Sequence, residues 1–410
     1  MLAASPGLSR VHWDECRRLA PLVPPPPQDY PQGALGVFRG QSVDFILAHA
    51  GLDAEGRPRV HYLLLTAAVL RQVAGRVTLL LPLAADAAPA VRAASLPSAQ
   101  MATPPPPTVE DQVEDLGNLM LALQDNFQAV EGMLAGVVQG IPVGIIRGPR
   151  DLEAQLAFLQ GLLTLLPIPA RFGVTFATFS RRLKHTQAQI AFLAGDVPPE
   201  DCLCYDWQEG RLSGPLPEDP YSRFIVRQLR LDPALAVEHL VALTRTAGWR
   251  LTRGEPLAQA LGWAARRVAL DAAVAEGQPA DSEMVAAVLR EDPTLSDELR
   301  VRYVRHLLAF VLALEEPEPA EIIAILARAH ADVAEHVLAM LDEAIDEGKT
   351  HLVYSLVASW LANPLGPEGS GWRRRAYRAA SLYLRQLADA GDIEGAIAFL
   401  EEVQNAAEKL

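Results

Sequence analysis

Two histidines on facing apolar segments are the first residues whose chemistry can be tested. "SVDFILAHA" (42–50) and "RVHYLLLT" (59–66) flank "GLDAEGRP", a run of turn formers, so an antiparallel hairpin is expected. The register that sets His49 opposite His61 brings two imidazoles within reach of each other, with Asp44 on the same strand. These are the groups of a general base or a metal site. No third ligand stands at a metal spacing, so the pair reads first as structural, at the rim of a sheet. The alternative is a hydrolase or metal-dependent enzyme with a site near His49 and His61.

Other candidates lack the pattern their chemistry needs. "ARAHADVAEHVL" places His330, Asp332, Glu335 and His336 on one expected helix. Its histidines do not stand four apart, as a zinc-binding H-E-x-x-H helix requires. "DCLCYD" offers Cys202 and Cys204 with no second pair and no nearby histidine, whereas zinc takes four ligands. Small strand residues are the simpler reading. "GPEGSGW" (366–372) is a glycine-rich loop, and neither a phosphate-binding loop nor a dinucleotide fingerprint is present. No catalytic residue, metal or cofactor is therefore expected.

Two basic clusters remain. Arg171, Arg181, Arg182, Lys184 and His185 bracket "IPARFGVTFATFS" (168–180), and "WRRRAYRAASLYLRQL" (372–387) sets Arg374, Arg378 and Arg385 near one helical stripe beside Trp372 and Tyr377. In a chain of net charge −14 such patches would steer an acidic partner protein. The competing reading is pairing with the chain's own carboxylates. Arg181, Arg182, Lys184, Arg374, Arg378 and Arg385 are the expected partner-binding residues.

The 410 residues exceed one small core, and a composition 50% apolar and 21% charged is globular. No large basic face accompanies the acidic balance, which argues against a nucleic-acid partner. Only Lys184, Lys349 and Lys409 are lysines, so arginine supplies the cations. Three cysteines make no disulfide framework. The N-terminus lacks the charged start and continuous apolar core of a secretion signal, and "RVTLLLPLAADAAPAV" is broken by Pro82, Asp86 and Pro89, too short to span a bilayer. The expectation is a soluble cytoplasmic chain without a membrane span; the oligomeric state is not legible.

The elements that must position these residues change character along the chain. An extended proline-rich segment is expected over 1–34, an α/β domain over 35–218 with a proline-rich linker near 103–108, and an all-helical domain over 219–410. In the α/β part, strands are expected at 42–50, 59–66, 76–83, 141–148, 168–180, 188–195 and 202–214, with helices at 67–75, 108–139 and 149–167. In the helical part, Asp232 and Asp292 stand as N-caps before proline, Gly248, Gly348 and Gly391 mark helix ends, and 319–348 reads as one helix. The fold class is α+β: a mixed α/β domain followed by a helical bundle or an irregular α-solenoid. "ADAGDIEGAIAFLEE" has the small-residue spacing of a tetratricopeptide-like unit, but no fixed period runs through the region.

"VVQGIPVGIIRGPRDLEAQLAFLQGLLTLLPIPARFGVTFATFS" orders a strand, a helix ending in Leu-Pro and an aromatic strand ending "FATFS". Over about residues 35–220 this resembles the N-terminal domain of bacterial GTPase-associated adaptor proteins. The resemblance implies a non-enzymatic interaction adaptor or scaffold whose partners are other proteins, a GTPase among them. A pairing of an α/β region with helices is also similar to the DENN-type regulators of small GTPases.

Overall fold

The computed structural model describes residues 8–30, 32–53, 55–86, 104–183, 187–199, 202–314 and 320–407. The chain divides into two compact units, Met1–Ala265 and Arg266–Leu410. The last strand ends at Ser213, and every later described element is a helix. The first unit nevertheless continues beyond the expected change of period at 219 and takes in the helices up to Ala265.

The first unit holds α1 (Arg10–Leu19), β1 (Ala34–Arg39), β2 (Phe45–Leu52), β3 (Pro58–Leu65), α2 (Ala67–Gln72), α3 (Leu80–Asp86), α4 (Val109–Ala122), α5 (Phe127–Gln139), β4 (Val143–Ile146), α6 (Leu152–Thr164), α7 (Ile168–Arg171), β5 (Phe176–Ser180), β6 (Ile190–Leu193), β7 (Leu203–Asp206), β8 (Arg211–Ser213), α8 (Pro220–Leu231), α9 (Pro233–Thr252) and the start of α10 (Leu257–Ala275). One eight-stranded sheet runs in the order β3-β2-β1-β5-β6-β4-β7-β8. Strands β5, β6, β4 and β7 are parallel, and the remaining pairings are antiparallel. The "FATFS" strand is central and wholly buried. One sheet face packs Phe38, Ile46, Ala177, Ala191 and Cys204 against Leu19 and Val23 of the N-terminal segment and Leu183 after β5. The other lies under α5 and α6, where Phe158 meets Phe192 and Trp207 edge-on.

Several expectations are corrected. The segment ahead of β1 is not simply extended, because 10–19 forms α1, whose buried Glu15 accepts N–H groups from Gln41 and Ser42. Residues 76–83 are not a strand. Pro82 has no N–H for a ladder but is tolerated in the first turn of a helix, and the Val77 N–H is taken by Gln160 of α6 at 2.8 Å. The long helix 108–139 is two, α4 and α5. Gln124 and Asp125 turn left-handed, and Asn126 caps α5 by accepting from Ala129 while donating to the Gly210 carbonyl. The strand expected over 168–180 begins only at Phe176, since 168–171 is the short α7.

The reason lies at the end of α6. A helix leaves its last carbonyls without partners, and here they are buried. Arg171, folded back from α7, donates to Thr164 O and Leu166 O at 3.1 and 2.7 Å, and also to Gln112 Oε1 of α4 at 2.8 Å. Tyr221 of α8 donates to the carbonyl between them, Leu165 O, at 2.5 Å. Arg171 is 3% exposed, and burial draws its pKa down to about 10, so it remains a cation at neutral pH. Gly75, at φ +73°, leaves space for it: a Cβ there would stand 2.6 Å from Arg171 Cβ.

The second unit contains the rest of α10, then α11 (Ser282–Glu291), α12 (Asp297–Leu314), α13 (Glu321–Ala329), α14 (Ala331–Asp346), α15 (Thr350–Ala362), α16 (Ser370–Asp389) and α17 (Ile393–Ala407). Asp232 caps α9 as expected, accepting from Ala234 at 2.8 Å. Asp292 does not start a helix. It is buried at the end of α11, where it takes Arg267 and the N–H and hydroxyl of Thr294, so α12 begins later, at Asp297. Gly248 lies inside α9, where a side chain would press on Pro169 at 3.2 Å; Gly348 and Gly391 do turn left-handed at helix ends. The helix expected over 319–348 is α13 and α14, separated at His330, whose backbone is extended. Among the described residues no helix is long and apolar enough to cross a membrane.

Replacing Arg171 by Met, which keeps the volume but removes the donors, strands two buried carbonyls and Gln112. Unfolding in urea should then show a loss of about 3 kcal/mol, with strand and helix content retained in the remaining folded fraction.

Candidate interaction surfaces

The β2–β3 hairpin has the register that the sequence suggested, His49 opposite His61. The His49 ring nitrogen Nε2 lies 3.0 Å from the Gln32 carbonyl. Gln32 in turn uses its side chain at the start of α6, accepting from the Leu152 N–H at 3.1 Å and donating to Glu153 at 3.2 Å. One imidazole is thus tied to the loop before β1, and Asp44 caps the chain elsewhere, accepting from the Ala67 N–H at 2.7 Å. Among the described residues no group of three His, Cys, Asp or Glu side chains stands where it could hold a metal ion. The four residues of 330–336 are also parted: His330 lies in the break before α14, and His336 Nδ1 stays on its own helix, 2.8 Å from Asp332 O. Cys202 and Cys204 are buried and free in the sheet core.

The parallel strands end along one edge, where charged residues follow β4 and β5 and Asp206 closes β7. Arg147, after β4, has a left-handed backbone and reaches Asp206 at the end of β7 and Glu209 beyond it. Burial pushes the Asp206 pKa up, but the Arg147 guanidinium and the N–H groups of Glu209 and Gln208 outweigh that and hold it below its ordinary value. Arg181 and Arg182 follow β5 on the same edge. Both are exposed, with no ion pair among the described residues, and Ser180 Oγ accepts the Arg182 N–H at 3.4 Å. Lys184 and His185 lie outside the described residues.

The α16 arginines divide by whether α14 offers them a carboxylate. Arg375 donates to Asp342 Oδ2 at 2.6 Å and to Leu338 O at 3.2 Å on α14. Arg378 reaches Asp342 at 3.4 Å and Asp346 at 2.5 Å. Arg374 and Arg385 are exposed and pair with no carboxylate among the described residues, and Tyr377 between them is 78% exposed. Trp372 is buried instead, against Trp360. Beside this face an open recess of ≈ 670 Å³ is lined by Leu361, Pro367, Arg373, Arg374 and Tyr377. Its one acidic side chain, Glu368, is engaged by Arg328 at 2.7 Å. Arg373 was not singled out from the sequence, although its place in the "WRRRAY" run was visible. Exposed Ile393, Ile397 and Leu400 on α17 were also missed; their spacing of one helical turn was the available signal.

Comparison of the chain with protein-family models and with curated proteins finds no match.

Burial, and then the charges of His49 and Arg59, lower the His61 pKa below its ordinary 6.5. The unfolded chain then takes up this proton first as pH falls. The contribution to stability is whole above about 6.5 and is lost as pH drops toward the folded value. The urea midpoint should fall between about pH 7.5 and about pH 5.5, and should fall less in His61→Gln.

Proposed function

We propose that this chain is a non-enzymatic protein-interaction adaptor or scaffold in a multi-protein system. A GTPase-associated assembly is the setting that the resemblance of its N-terminal half suggests. The observation that carries the reading is the split among the α16 arginines. Two of them complete the packing of α14 and α16, while Arg374 and Arg385, near an exposed tyrosine, pair with no carboxylate among the described residues of this acidic chain. Exposed Arg and Tyr beside a recess are the side chains that anchor protein interfaces. Their positive charge selects an acidic partner surface. Arg181 and Arg182, at the carboxyl end of β5, supply a second basic patch of the same kind.

The reading is tested by affinity purification of the full chain from its native cells, beside Arg374→Glu/Arg385→Glu. A stoichiometric partner should copurify with the parent chain and be lost from the double variant. The loss should be greater at low salt, where exposed charges are least screened. The variant should keep its helical circular dichroism and unfold within about 0.5 kcal/mol of the parent, as surface substitutions do. Equal capture by both chains at every salt concentration would remove α16 from the interface, and purification without any partner would defeat the adaptor reading.

A further inference from the structure

A second pair of surfaces lies outside that reading and uses neither Arg374 nor Arg385. Along one face of α9 and its C-cap, successive turns carry exposed Val241 and Arg245, half-buried Trp249 and exposed Arg253. Two guanidinium groups lie over the Trp249 ring, Arg250 at 5.3 Å and Arg253 at 5.0 Å from its centroid. Arg250 is itself fixed over Trp263 at 4.1 Å and paired with Glu255 at 2.8 Å. Such stacking contributes cation–π attraction and holds the tryptophan in place before any partner arrives. Arg245 and Arg253 are exposed and have no carboxylate partner among the described residues.

The complementary surface is on the same chain. α17 is anchored by one buried side chain, Phe399, edge-on to Tyr354 at 5.0 Å and Tyr383 at 4.8 Å. From just over a quarter to nearly half a turn away it exposes Ile393, Ile397 and Leu400, by 73%, 54% and 51%. Beside them stand Glu394 and Glu401, exposed and without a cation partner among the described residues. The neighbouring Glu402 is the one that faces His351, at 3.7 Å.

The two faces match in order and spacing. Arg245 and Arg253 lie about 12 Å apart along α9 with Trp249 midway, and Glu394 and Glu401 lie about 10 Å apart along α17 with Ile397 midway. We propose that the α17 face of one copy of the chain docks on the α9 face of a second copy. Trp249 then covers Ile397 and Leu400, and the arginines take the two glutamates. The apolar contact supplies most of the affinity, while the charges set register and exclude other pairings. Each copy carries both faces and the contact is heterologous, so association continues to a closed ring or an open chain.

Sedimentation velocity on the full chain, at concentrations up to about 0.1 mM where weak complexes form, tests this directly. The sedimentation coefficient of the parent should rise with concentration, and less so at high salt. Arg245→Glu/Arg253→Glu and Glu394→Arg/Glu401→Arg should each weaken association by about tenfold or more. Circular dichroism should be unchanged, because all four positions are exposed. Mixing the two variants should restore association, since each then meets a surface of opposite charge, and so should the fourfold exchange within one chain. A monomeric parent across the range overturns the proposal. So does association that survives either reversal, or that is not regained on mixing.

Discussion

Three consecutive backbone carbonyls, those of Thr164, Leu165 and Leu166, govern the first unit. They close α6 inside the protein, where water cannot satisfy them and where the helix dipole concentrates negative charge. Arg171 and Tyr221 provide the donors. Arg171 can do so only if the chain turns back through α7 immediately after Pro167, and that turn delivers Phe176 to the middle of the sheet. The same guanidinium reaches Gln112 on α4, the aliphatic stem of Arg171 lies against Gly75, and Tyr221 brings in α8. One buried cation thus joins the α4–α6 layer to the central strand. Its hydrogen bonds go to neutral acceptors, and the nearby Asp115 carboxylate supplies a favourable charge.

The second unit handles its arginines differently. Arg267 is buried between Asp271 and Asp292, and Tyr303 donates to Asp271 at 2.5 Å. This consumes the acidic residue that the sequence marked as a helix cap. On α16, Arg375 and Arg378 pair with Asp342 and Asp346, whereas Arg374 and Arg385 pair with no carboxylate among the described residues, although Arg378 shares their helical stripe. In a chain of net charge −14 the carboxylates are numerous, yet an ion pair forms only where the backbone sets the groups side by side, within one helix as in Arg302–Glu298 or across two as in Arg375–Asp342. Exposed pairs contribute too little to reorganise a helix. On α9 and on α16 some arginines therefore stay exposed, with no carboxylate partner among the described residues.

Much of this was legible without coordinates. The alternating apolar runs of 42–50 and 59–66 and the turn between them were enough to set His49 against His61, because a slip of one residue would turn every side chain to the wrong face. The carboxyl half read as helical throughout, since apolar residues recur there at helical spacing. Failures fell where a polar side chain had a distant partner. Asp292 has the local signature of a cap, but its carboxylate goes to Arg267, 25 residues away in sequence. Gly248 has the signature of a helix end, yet it lies inside α9 and admits Pro169 against its last turns. The apolar run at 76–83 resembles a strand, but its first free N–H belongs to Gln160.

The sequence by itself determined the period of each segment and hence the fold class, a mixed sheet with helices followed by helices alone. It also determined the acidic balance and the positions of the arginine-rich runs. Period and charge are local properties that neighbouring residues establish together. Only the tertiary structure decided the strand order, the break between α4 and α5, and which arginines are paired or free. Those outcomes depend on groups that are far apart along the chain and meet only once the backbone has packed, and no local pattern records such a meeting.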